Sequence, residues 1–212
     1  MKYERIRKQV LEAILEAVDL GLISGTSGNI AVQDEKEDVV AITPSSIVYK
    51  TMKAADIAIV DLYGNWIDGE FKPSSETPMH TAVLRARNDV KATVHTHGMF
   101  ATIMAMNDEP LLPITPPQCE FVPVNIVPFV MPGSGDLAGT VVDTLADGRA
   151  VLLKNHGMFC CGRTINDAMA ATIFTEEMAR GTYYAKILGC YKPLPDEAIA
   201  KMKALIAADK AV

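Results

Sequence analysis

Two histidines one residue apart, in Val94-His95-Thr96-His97-Gly98, are the first residues in this chain whose spacing suits chemistry. They follow a short run containing Ala92, Thr93 and Val94, which reads as a strand ending in a Gly turn. Residues two apart on a strand face the same side. His95 and His97 therefore aim two imidazoles at one point, while Thr96 faces away. The chain has only four histidines, and His156 again ends an apolar run, Leu152-Leu153-Lys154-Asn155-His156-Gly157. Two strands that each finish in His-Gly make two edges of one pocket. Three converging imidazoles suit zinc, with manganese, iron or cobalt as alternatives.

Glu76 supplies a fourth donor. It lies in Pro73-Ser74-Ser75-Glu76-Thr77-Pro78, where Ser75 or Thr77 suits a helix cap and Pro78 the first turn. A carboxylate there is either a plain helix-start residue or a ligand that completes a tetrahedral site with His95, His97 and His156. His80, four residues on, reads as a packing or hydrogen-bonding residue. A carboxylate able to leave the metal opens a position for substrate and becomes free to carry a proton. The metal then acts as a Lewis acid toward a ketone oxygen and an adjacent hydroxyl. Thr26 to Asn29, Ser45 with Ser46, and Ser74 with Ser75 form small-residue loops that offer neutral donors to a phosphate.

The elements that must position these groups follow from periodicity. Residues 3–20 place Ile6, Val10, Ala13, Ile14, Ala17 and Val18 at helical spacing, with Gly21 as the stop. Residues 30–32 and 39–42 form a hairpin across the charged turn 34–38, and 57–62 is a third strand. Trp66 and Phe71 flank a Gly69 turn and cover a core edge. The helix opening near Glu76 carries an apolar stripe of Met79, Ala82, Val83 and Ala86. A short helix, 99–106, lies behind the histidine pair. After a Pro-rich passage come a strand at 124–130 interrupted by Pro128, a helix at 136–145 and the strand 150–153. Residues 155–157 form a hairpin tip or kink. The longest helix, 166–188, turns Ala168, Ala171, Ile173 or Phe174, Met178 and Tyr184 or Ala185 to one side, and a last helix runs over 195–209.

The net charge is −6 with no basic cluster, which argues against nucleic acid or an anionic membrane as partner. No apolar run is long enough to span a bilayer. Cys119, Cys160, Cys161 and Cys190 include no Cys-x-x-Cys pair and read as free buried thiols of a cytosolic protein.

Gly25-Thr26-Ser27-Gly28-Asn29, Ile42-Thr43-Pro44-Ser45, Pro73-Ser74-Ser75-Glu76, His95-Thr96-His97 and Asn155-His156-Gly157 occur in that order. On these motifs nearly the whole chain resembles the class II aldolase and adducin family, most closely its L-fuculose-1-phosphate aldolase branch. The resemblance implies a single domain over 1–212, an αβα three-layer sandwich whose central sheet is mostly antiparallel. It implies a homotetramer with active sites at subunit interfaces, beside the cytoplasmic location already read from the cysteines. It makes His95, His97 and His156 zinc ligands and Glu76 the ligand that leaves zinc to serve as acid and base. Gly28, Asn29, Ser45, Ser46, Ser74 and Ser75 become the phosphate cradle, with Thr26 beside it.

The sequence departs from that branch in places. The second loop usually ends in Gly, where this chain has Ser46. A Tyr expected beyond the histidine pair is replaced by Ile114-Thr115-Pro116-Pro117. No aromatic stands at Pro132, and the C-terminal Ala207-Ala208-Asp209-Lys210-Ala211-Val212 has no Tyr. Glu120 is either a substitute acid or a surface carboxylate. The resemblance thus implies reversible cleavage of a ketose 1-phosphate to dihydroxyacetone phosphate and a small aldehyde. L-fuculose 1-phosphate would yield lactaldehyde, but a smaller or deoxygenated tail suits the altered end better. Methylthioribulose-1-phosphate dehydration, which Glu120 would serve, ribulose-5-phosphate 4-epimerisation and sugar-acid phosphate decarboxylation are the alternatives within the family. The epimerase branch has Asp where this chain has Glu76. A non-catalytic adducin-like module has no use for intact metal ligands.

Overall fold

The structure, a computed structural model, describes residues 1–209. Eight strands join one sheet: β1 (Asn29–Asp34), β2 (Val39–Ile42), β3 (Ala58–Asp61), β4 (Trp66–Asp68), β5 (Ala92–Thr96), β6 (Asn125–Val127), β7 (Ala150–Leu153) and β8 (Gly157–Gly162). Their spatial order is β4-β3-β2-β1-β5-β8-β7-β6. Every pairing is antiparallel except the edge pair β6–β7. The helices are α1 (Glu4–Asp19), α2 (Thr77–Ala86), α3 (Met99–Met104), α4 (Gly135–Leu145), α5 (Ile165–Ile187) and α6 (Asp196–Asp209).

Alternation along the central strands separates two cores. Ile30, Val32, Val94, Met158 and Cys160 pack with α1, α3 and α5 on one face. Ala31, Val40, Val60, Phe159 and Cys161 pack with α2 and α4 on the other. A strand covered on both faces must be apolar at both parities, and β2, β5, β7 and β8 are buried throughout. The result is the expected αβα sandwich. In α1, Ile6, Val10, Ala13, Ile14 and Ala17 face the sheet, and Gly21 follows the helix at φ +72°.

Several local expectations change. Trp66 belongs to the edge strand β4 and is half exposed rather than closing a core edge. The strand at 124–130 shortens to β6, because Pro128 offers no N–H to a ladder. In α2, Leu84 is buried and Ala86 is exposed. The buried side of α5 is lined by small and hydroxyl residues, Ala168, Ala171, Thr172, Thr175, Ala179 and Thr182, with Met169 and Met178. Ile173 and Phe174 are only half-buried and Tyr184 is exposed, so a helix lying close on β8 selects small side chains. All four cysteines are free, but Cys190 is exposed. The end of the tail without a Tyr, residues 210–212, lies outside the described residues.

Candidate active site

Strand pairing assembles the site. β5 lies between β1 and β8, with His95 opposite Asn29 on one side and Phe159 on the other. His97 follows the end of β5. The β7–β8 hairpin turns at Lys154-Asn155-His156, where the His156 N–H donates to Leu153 O at 3.0 Å. Gly157 allows the tip to close on β5, since a Cβ there would lie 2.3 Å from Thr96 O. Glu76 is the N-cap of α2, and its own N–H donates to Ser74 Oγ at 3.2 Å. Neither Ser75 nor Thr77 serves as the cap. The Thr77 hydroxyl instead donates back to Ser74 O at 2.6 Å.

Four side chains converge here. His95 Nε2 lies 2.9 Å from His97 Nε2 and 3.2 Å from Glu76 Oε2. Glu76 Oε1 lies 3.4 Å from His156 Nε2. Ligand atoms about 2.0–2.1 Å from a tetrahedral zinc are roughly 3.3 Å apart, so the three separations fit a shared divalent ion. His95 Nδ1 lies 2.8 Å from Met158 O. A carbonyl only accepts, so Nδ1 carries the proton and Nε2 presents its lone pair inward, the orienting contact usual for a metal-bound imidazole. Burial, then the neighbouring His95, pushes the pKa values of His97 and His156 down to about 4, leaving both neutral at pH 7. Burial pushes Glu76 upward, but its contacts with His95, then with Asn29 and His156, outweigh it and hold the carboxyl far below its usual range. An ionised carboxylate beside neutral imidazoles is a divalent-metal donor set. Glu76 Oε1 is buried with no hydrogen bond from the described residues, which leaves a lone pair for such an ion.

The small-residue loops close over the same place. Thr26, Gly28, Asn29, Ser45, Ser46, Ser74 and Ser75 all line one cavity of about 420 Å3 with Glu76, His97 and His156. A bridge between Pro44 and Pro73 and the bond from Ser74 N–H to Thr43 O at 3.1 Å tie the second and third loops together. Gly28, at φ +76°, passes so close to β5 that a Cβ would lie 2.8 Å from His95 O. Ser45 Oγ donates to Pro73 O at 3.0 Å. With Ser74 also engaged, the hydroxyls of Thr26, Ser46 and Ser75 remain without a partner within the described residues. Among the described residues no Lys or Arg lines the cavity, and the start of α2 opens into it. Neutral hydroxyls, backbone N–H groups and a helix N-terminus can hold an anion without a cation.

Glu120 is not brought to this cluster. It lies in the 3-10 turn Pro116–Phe121 and lines another pocket with Val122, Arg149 and Lys203. Arg149 precedes β7 and His156 follows it, so the length of that strand separates the two pockets. Sequence reasoning missed Tyr49, whose hydroxyl donates to Gly28 O at 2.6 Å and so pins the first loop. It also missed the side-chain contacts of Asn29. Asn29 Nδ2 donates to Glu76 Oε2 at 2.9 Å, and its Oδ1 lies 2.5 Å from His80 Nε2. His80 Nδ1 lies 2.6 Å from Thr93 Oγ1, so His80 hydrogen-bonds rather than ligates. Glu76 and His80 are one helical turn apart, a spacing visible in the sequence.

Comparison with known proteins bears on this arrangement. The Class II Aldolase and Adducin N-terminal domain matches residues 8–183. The chain is 34% identical over 200 residues to the 5-deoxy-D-ribulose 1-phosphate aldolase of Bacillus thuringiensis serovar kurstaki, covering 93% of each chain. A solved L-fuculose 1-phosphate aldolase superposes with a TM-score of 0.91 at 30% identity, over 95% of this chain and 96% of the other. YgbL of Escherichia coli superposes at 0.86 and 25% identity, over 94% and 98%.

Proposed function

The chain belongs to the class II aldolase and adducin family, and we propose that it reversibly cleaves a 5-deoxyketose 1-phosphate into dihydroxyacetone phosphate and a small aldehyde. One observation carries the reading: the Glu76, His95, His97 and His156 cluster opens into a cavity lined by neutral anion donors. The first feature suits polarisation of a carbonyl, and the second suits a phosphate a few atoms away. The 5-deoxy tail is favoured because the passage that carries a Tyr in the fuculose branch reads Ile114-Thr115-Pro116-Pro117 here. The Bacillus thuringiensis relative is named for such a substrate. The dehydratase reading leans on Glu120, which lies away from the cluster.

His95, His97 and His156, with Glu76, would hold the divalent ion, for which we propose zinc, with manganese, iron or cobalt as substitutes. Bound there, the ion supplies Lewis-acid polarisation of the ketose oxygens. Thr26, Ser46 and Ser75, with the backbone around Gly28 and Asn29, hold the phosphate and so place the sugar carbons beside Glu76. As the C4 hydroxyl passes its proton to the ionised Glu76 carboxylate, the C3–C4 bond breaks and C4 leaves as the aldehyde. The electron pair stays on the C2–C3 fragment, and Glu76 delivers a proton to C3.

We further propose that residues 1–212 form one domain and that the protein is a cytoplasmic homotetramer with sites at subunit interfaces. Support comes from large apolar side chains left exposed, among them Met99, Phe129, Met131, Ile187 and Leu188. No helix among the described residues is long and apolar enough to cross a membrane. The test is release of dihydroxyacetone phosphate from metal-loaded protein given 5-deoxy-D-ribulose 1-phosphate or L-fuculose 1-phosphate. The expected result is release from both, faster from the 5-deoxy sugar with acetaldehyde as co-product, and loss on chelation. No release from any ketose 1-phosphate would reject the reading.

A further inference from the structure

Behind the carboxylate, a line of hydrogen bonds that the reaction scheme does not use runs from the cavity wall into the core. Thr93, on β5, and Asn29, at the start of β1, flank the ring of His80 on α2. Thr93 and His80 are fully buried, and Asn29 is nearly so. The four polar groups run Thr93, His80, Asn29, Glu76, at separations of 2.6, 2.5 and 2.9 Å.

Their chemistry gives the line one direction. Asn29 Nδ2 lies 2.9 Å from Glu76 Oε2, and an amide nitrogen only donates, so Asn29 presents its N–H to Glu76. Its carbonyl oxygen then faces His80, which forces His80 Nε2 to be the protonated ring nitrogen. Nδ1 is left as an acceptor, and the Thr93 hydroxyl is the donor that meets it. Every proton in the line points toward the carboxylate. An Asn amide can rotate about its last bond and exchange its nitrogen and oxygen positions. Here that flip would set an oxygen against Glu76 and an N–H against the Nε2–H of His80, two repulsive contacts at once.

We propose that His80 is a positioning residue that locks the Asn29 amide with its N–H on Glu76 Oε2. The protein thereby holds one carboxylate oxygen and leaves Oε1 free to meet a metal and a proton. This rests on Glu76 being the proton carrier. His80 touches neither substrate nor ligand and acts only through Asn29. It also assigns a use to the Asn29 side chain different from direct phosphate contact, which stays with the backbone there.

Two substitutions and one spectrum test this. His80→Gln keeps an N–H within reach of Asn29 Oδ1, whereas His80→Leu fills the space without a donor. With Leu, kcat should fall about 10–100-fold, as for other residues that orient a metal ligand, with KM within about twofold because the phosphate hydroxyls are untouched. With Gln, most of kcat should return. Equal loss in both variants, or a folded Leu variant with unchanged kcat, would overturn the proposal. The spectrum is a long-range 1H–15N correlation of metal-free wild-type protein, which reads the His80 tautomer without any reaction. The Nε2–H form is expected, and the Nδ1–H form would overturn the proposal even if the Leu variant did not fold. Inactivity of wild type on every ketose 1-phosphate would count against the aldolase reading while leaving the tautomer result to stand or fall alone.

Discussion

Oε1 of Glu76 faces Nε2 of His156 across 3.4 Å, although one residue caps α2 and the other sits at the tip of the β7–β8 hairpin. The imidazole is neutral and the carboxylate ionised, and the described residues give that oxygen no hydrogen bond. A buried acceptor without a donor is costly, on the order of 1–3 kcal/mol or more for a charged group. A divalent cation between the two residues removes that cost.

One divalent ion per subunit is therefore expected. His97→Ala removes one of the three imidazoles and should largely empty the site, as metal analysis after gel filtration would show. Full occupancy in that variant would mean the ligands have been misassigned.

Much of this was legible beforehand. The two-residue period of a strand placed His95 and His97 together, and the repeated His-Gly ending brought in His156. All seven residues chosen for phosphate line one cavity with Glu76. What stayed hidden depends on contacts between distant segments. Asn29 reads as a loop residue until β1 pairs with β5 and α2 packs behind them. Glu120 reads equally as a substitute acid or a surface carboxylate until the length of β7 sets it apart from the cluster. The size of side chains on α5 depends on how closely β8 approaches, which periodicity does not encode.

The buried histidines predict how the metal-free protein responds to acid. His80 is pushed down to about 3, and His97 and His156 to about 4, from an ordinary 6.5. Below pH 6.5 the unfolded chain takes up protons that the native state refuses, so stability falls as pH falls toward 4. Glu76, also depressed, adds a loss of the same sign below its ordinary 4.5. Thermal melts of chelator-treated protein should give a lower Tm at pH 5 than at pH 7. An equal or higher Tm at pH 5 would show that these rings are not buried neutral.

Ser75 is exposed at the mouth of the cavity with its hydroxyl unengaged. Removing one hydrogen bond to a charged phosphate costs about 1.5–3 kcal/mol, roughly tenfold to a hundredfold in binding. Ser75→Ala should raise KM by that factor with a smaller change in kcat. Should steady-state kinetics show an unchanged KM, the phosphate lies elsewhere.

Ser46 stands where the family's second loop usually ends in Gly, and it adopts φ +63°. A side chain in the left-handed region costs of order 1 kcal/mol. Ser46→Gly should relieve that, with any gain offset in part by the extra freedom of Gly when unfolded. A rise of up to about 2–4 °C in Tm is expected, with KM for the phosphorylated substrate raised because the Ser46 hydroxyl is one of the three placed on the phosphate. A clear fall in Tm would mean that the Ser46 hydroxyl stabilises the loop by more than its backbone strains it.

The claim on which the rest depends is that Glu76 moves the C3 proton and is not merely a metal ligand. Glu76→Gln keeps the size of the side chain and an oxygen that can accept from Asn29, but it cannot shuttle a proton. The direct measurement is exchange of the C3 proton of dihydroxyacetone phosphate with solvent deuterium, followed by NMR with metal content determined on the same sample. That half-reaction needs the base and no aldehyde. The expected result is retained metal, held by the three imidazoles, with exchange slowed by roughly 10²–10⁴. Normal exchange in a metal-replete glutamine variant would contradict the claim and leave Glu76 as a ligand only.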